Sequence, residues 1–166
     1  VDSESDFSRH YMALAMKLEH LTNKTRTATV VDADIDKSFY LSSVADTLGI
    51  TITDTDGVIK ITLPYLLPKR KSVDSETYII EPLVKVLTDY VNKNKPDKII
   101  SSLVTVKSVY TPDNPKIIRD NDNIEIRHII NIISTMLFVD DNDMDILLCS
   151  RSGKKTHTEI LISPRN

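Results

Sequence analysis

The sequence predicts an α+β domain with its elements in the order ααββαβαββ, a mostly antiparallel sheet of about five strands packed on helices. Three observations carry this. Segments with apolar residues at spacings of three and four are interspersed with short segments that alternate with a period of two. Four of the five strand-like segments come in adjacent pairs, so the regular strand–helix alternation of a parallel fold is missing. No internal repeat, low-complexity block or long linker divides the 166 residues, so one domain is expected over 1–166, with a helical part at 5–48 and a sheet-containing part at 50–163.

In order along the chain, residues 7–22 place Phe7, Tyr11, Leu14, Leu18 and Leu21 at helical spacing, with Asp6 or Ser8 as the cap. A second helix, about 37–48, is expected to bury Tyr40, Val44 and Leu48 and to stop at Gly49. Ile50 and Ile52, then Ile59, Ile61 and Leu63, alternate with polar residues across Asp54-Thr55-Asp56-Gly57, which predicts a hairpin with a Gly-bulge turn. Pro64 and Pro68 end the second strand. A third helix is expected from 77 or 81 to 93, with Pro82 confined to its first turn. Residues 98–110 are apolar on both parities around Leu103, Val104 and Val106, as expected of a central strand covered on both faces.

The most apolar segment follows. A helix at 123–138 is expected to form the core, with Ile126, Ile129, Ile130, Ile133, Met136 and Leu137 on its stripe. Asp122 and Glu125 have the spacing of a capping box, so Asp122→Ala is expected to cost ~1 kcal/mol. Glu125, Arg127, His128 and Asn131 interrupt the apolar run, which stays below the ~18 residues of a membrane span. Strands at 144–151 and 156–163, joined by Ser152-Gly153-Lys154-Lys155, read as a closing hairpin.

Composition narrows the function classes. A hydrophobic fraction of 40% and a charged fraction of 27% are globular values. A chain of this size buries roughly two thirds of its unfolded surface, so folding requires no staple and no cofactor is expected. The net charge of −3 gives no global attraction to nucleic acid, so any such contact must be local. One cysteine, Cys149, excludes an internal disulfide. With no signal-peptide pattern at the start, a cytoplasmic location is expected.

Several motifs are incomplete. Asp32, Asp34 and Asp36, and again Asp141, Asp143 and Asp145, imitate a calcium loop but lack its glycine and its final glutamate. Ser152-Gly153-Lys154-Lys155-Thr156 lacks the first glycine of a phosphate loop. Glu125 and His128 supply half of a di-iron pattern whose second half is missing. Cys149 alternates within an apolar strand, as a buried inert thiol would.

The sequence resembles an uncharacterised domain family of mobile, conjugative elements in clostridial-group Gram-positive bacteria. The resemblance rests on Thr62-Leu63-Pro64-Tyr65-Leu66-Leu67-Pro68-Lys69-Arg70-Lys71, Arg119-Asp120-Asn121-Asp122-Asn123-Ile124-Glu125, Val139-Asp140-Asp141, Cys149-Ser150 and Thr158-Glu159-Ile160, in that order over about 58–163. Asn121 stands where the family pattern has histidine, so any chemistry of that histidine is not shared. The resemblance implies a biological setting and no mechanism.

Three functions follow as expectations. The first is a non-enzymatic accessory or regulatory protein that binds another protein, with no membrane contact. The second is a metal-dependent phosphoesterase or nuclease, with Arg119, Asp120, Asp122, Glu125 and His128 as catalytic candidates and a further acid from Asp140, Asp141 or Glu159. The third is a DNA-binding regulator, which requires Lys69, Arg70, Lys71, Lys154 and Lys155 to share one surface.

Overall fold

A computed structural model describes residues 17–18, 21, 37–67, 76–111, 124, 126–140 and 143–165. The chain divides into two compact units, Val1–Tyr40 and Leu41–Asn166. In the first, Lys17, Leu18 and Leu21 are helical, and the remainder of the helix expected at 7–22 lies outside the described residues. From the second expected helix on, the elements follow the expected order: α1 (Lys37–Leu48), β1 (Thr51–Thr55), β2 (Val58–Leu63), α2 (Glu76–Asn94), β3 (Ser102–Tyr110), α3 (Arg127–Leu137), β4 (Met144–Ser152) and β5 (His157–Pro164).

α1 ends as expected. Gly49, at φ 74°, donates to the Asp46 carbonyl while Ile50 N–H reaches back to Ala45 O at 3.1 Å, the paired bonds of a Schellman motif. In this helix Ala45 is buried and Val44 and Leu48 are half-buried, while the Tyr40 side chain lies outside the described residues. The β1–β2 hairpin forms, but its turn is tighter than expected. Thr55 pairs with Val58, and Asp56 and Gly57 both have positive φ, so the connection is a two-residue type I′ turn rather than a Gly bulge.

The five strands make one sheet in the order β1-β2-β5-β3-β4. All pairs are antiparallel except β3 with β4, whose parallel alignment is made possible by the crossover through α3. Two expectations are corrected. β5, not β3, is the middle strand, because β2 and β3 flank it on either side. β4 and β5 form no hairpin, because β3 lies between them and pairs with both. Gly153 crosses over the end of β3, donating its N–H to Tyr110 O at 2.7 Å.

The core lies on one sheet face. Ile59, Ile61 and Leu63 of β2, Ile160 and Ile162 of β5, and Val104 and Val106 of β3 pack with Leu83, Leu87 and Tyr90 of α2 and Ile129, Ile130, Ile133 and Leu137 of α3. α3 therefore has the interior role its stripe predicts, but it starts at Arg127, not at residue 123. Its N-cap is Ile126, with no side-chain capping bond. Asp122 and Glu125, the expected capping pair, lie outside the described residues, and Ile124 between them is buried in the core and in a β-bridge. Pro82 is also displaced from the expected first turn, because α2 starts at Glu76 and holds it inside. Burial of Pro82, Leu83 and Leu87 offsets the lost backbone bond.

The other end of α3 is held by a lysine. Lys98 Nζ donates to Thr135 O at 3.1 Å and Met136 O at 2.9 Å, placing a cation on the carbonyls that a helix end leaves unpaired. Lys98→Met is expected to lower stability by ~0.5–1 kcal/mol in urea unfolding, with less of a difference at high salt. Tyr90 of α2 donates its hydroxyl to Asp54 Oδ2 of β1 at 2.7 Å, and burial together with this carboxylate pushes the phenol up to about 12. Tyr90→Phe is expected to cost ~1 kcal/mol at neutral pH, read by the same measurement.

Candidate functional site

The strand register fixes what lies on the second sheet face, to which the core cluster contributes nothing. Glu159 sits at its centre, level with Thr62 on β2 and Lys107 on β3. Lys107 is in turn level with Cys149 on β4. One step along, Lys60, Leu161, Thr105 and Leu147 form the next row, and on the other side His157, Val109 and Arg151 form another. Residues two apart on a strand share a face, so a period of two in four separate segments assembles this grid.

Glu159 is the organising group. Its side chain is only 8% exposed. Lys60 Nζ lies 2.7 Å from Oε1, and Lys107 Nζ and Arg151 Nη2 lie 3.4 and 3.6 Å from Oε2. His157 Nε2 is 3.4 Å from Oε1, while its Nδ1 is 2.8 Å from the Lys155 carbonyl. Burial by itself would raise the carboxyl group's pKa. The Lys60 hydrogen bond, helped by His157 and Lys107, outweighs burial and holds it down at about 2. Glu159 is thus ionised throughout the physiological range and has no proton to exchange with a substrate there.

The same contacts bear on the expected acidic site. Glu159 already has both oxygens occupied by cations and is a poor metal ligand. No group of three or more His, Cys, Asp or Glu suited to a metal occurs among the described residues. Arg119, Asp120, Asp122 and Glu125 lie outside the described residues, as does Asp141. His128 is exposed on the first turn of α3, and Asp140 is exposed after that helix.

Of the expected basic residues, Lys69, Arg70 and Lys71 lie outside the described residues. Lys154 and Lys155 are exposed in the β4–β5 connection, between Arg151 and His157 in sequence. Cys149 is half-buried on the Glu159 face, not enclosed in the core as its alternation suggests. Sequence reasoning missed the cluster because Lys60, Lys107 and Glu159 each look like a solvent-facing residue of an alternating strand. The signal was their parity, which becomes informative only once the strands are ordered.

No helix among the described residues is long and apolar enough to cross a membrane. Residues 2–166 match a family model described as a family of unknown function (DUF6100), which takes in the N-terminal segment that the resemblance over 58–163 leaves out. No curated protein matches the chain.

Proposed function

On the premise that the chain belongs to this family of unknown function (DUF6100), we propose that it is a non-enzymatic accessory or regulatory protein of a bacterial mobile element, acting in the cytoplasm by binding another protein. The setting rests on the resemblance of its motifs to a family of clostridial-group conjugative elements. The mode of action rests on one observation: the densest charged cluster among the described residues is a carboxylate fixed in ionised form by Lys60, Lys107, Arg151 and His157. Such a cluster presents a rigid surface of oriented donors. It offers neither a group poised to transfer protons nor a free set of metal ligands.

A second reading, contact with DNA, is favoured by the exposed Lys154 and Lys155 beside Arg151. Phosphate contacts would make binding fall steeply with salt, whereas a protein interface with an apolar centre would lose less. The test is affinity capture from source cells by the folded chain, with and without nuclease. Recovery of a nuclease-resistant protein encoded on the same element supports the proposal. Recovery of nucleic acid alone supports the second reading, and recovery of neither contradicts both.

A further inference from the structure

We propose that the sheet face around Glu159 docks an acidic amphipathic helix from the partner protein, an inference that rests on the protein-binding reading above. The face divides into two chemical zones. Leu161 and Leu147 lie on either side of Thr105 in one row, and Leu103 follows in the next, which makes an apolar strip across β5, β3 and β4. Leu147 is 48% exposed. Lys60 continues the first of these rows on β2, and further cations lie beyond the strip: Lys107 on β3, Arg151 near the end of β4, and Lys154 and Lys155 in the connection that follows it.

Charge selects the partner. The whole chain carries a net charge of −3, yet Lys60, Lys107 and Arg151 surround the carboxylate of Glu159 on this face, and the other carboxylate among its described strand residues, Asp145, level with Leu103, is paired with Arg165. Glu159 neutralises part of that charge from beneath and holds the half-buried lysines in place. Arg151, with 56% of its side chain exposed, and the two lysines of the connection keep donors directed to solvent. A face whose leucines are bordered by cations matches a helix with an apolar stripe flanked by Asp and Glu. A helix laid across a sheet face is also the packing by which sheets are commonly covered. Nucleic acid fits less well, because the described strand residues of this face include no Phe, Tyr or Trp for base stacking and do include Leu103, Leu147 and Leu161.

The probes are a fluorescent peptide of about 18 residues with Leu at helical spacing and Glu elsewhere, its Lys-for-Glu counterpart, and a DNA duplex of similar length. The Glu peptide is expected to bind. Lys154→Glu combined with Lys155→Glu, which leaves Arg151 beside Glu159, should weaken it by about ten-fold, as expected from the reversal of two interface charges. These side chains are exposed, and an unchanged melting curve confirms that the variant folds. Leu147→Asp should weaken binding independently, and the Lys peptide should not bind. Failure of the Glu peptide to bind, equal binding by the charge-reversed chain, or binding of the duplex alone overturns the proposal. A captured cellular partner that the charge-reversed chain retains overturns this docking surface while leaving the binding function intact. Absence of any captured protein removes the binding function itself.

Discussion

Acidification from pH 4.5 to pH 2 is expected to remove about 3 kcal/mol of folding stability through Glu159 alone. Its folded-state value is depressed relative to its ordinary one, so the folded protein holds fewer protons than the unfolded chain between the two. The stabilisation is therefore fully present above the ordinary carboxylate range and is lost as pH falls through that window. Burial leaves little solvent to screen the contacts, since the Glu159 side chain is 8% exposed. Glu159→Gln should flatten this part of the pH profile, because glutamine does not titrate. At neutral pH the same variant should be less stable by about 2 kcal/mol, since Lys60 and Lys107 lose their counter-charge. Their partial exposure lets water replace some of it. Urea unfolding of both proteins at pH 7, 4.5, 3 and 2 separates this carboxyl group from the others. Parallel profiles would contradict the assignment.

Gly153→Ala is expected to lower stability by about 2–3 kcal/mol, although it adds only a methyl group on the surface connection. A Cβ at this position would lie 2.4 Å from Val109 Cγ1. Val109 is fully buried, and its branched side chain has few alternative rotamers. The backbone has little room to retreat, because Gly153 N–H is bonded to Tyr110 O at 2.7 Å. Val109→Ala in the same chain should recover part of the loss, giving a non-additive double-mutant cycle. Lys154→Ala, one residue on and exposed, should change stability by no more than about 0.5 kcal/mol. Equal effects of Gly153→Ala and Lys154→Ala in thermal melts would contradict the crossing over β3.

The same residues show how far the sequence could be read. α1 with its Gly49 terminus, the β1–β2 hairpin and the apolar stripe of α3 were legible because periodicity and turn chemistry act within a few residues. The pairing of β4 and β5 was not. A short turn-rich connection between alternating segments gives the same local signal whether the strands pair or straddle a third. What decides between them is β3, more than thirty residues upstream of β4, whose register places Val106 level with both Leu148 and Ile160. The start of α3 was misread for a related reason. Asp122 and Glu125 have capping spacing, a preference worth only ~1 kcal/mol, whereas Ile124 between them is buried in the core and α3 starts at Arg127. The Glu159 cluster draws on β2, β3, β4 and β5, so no window of sequence contains it.

The proposed binding surface requires Glu159 to be a fixed charge rather than a group that exchanges protons. A carbon-13 NMR titration of its side-chain carboxyl measures this directly. The expected midpoint is about 2, leaving the signal unchanged from pH 8 to about 3.5. A midpoint at or above the ordinary 4.5 would mean that Lys60, Lys107 and Arg151 do not hold the carboxylate, and the surface they organise would lose its basis.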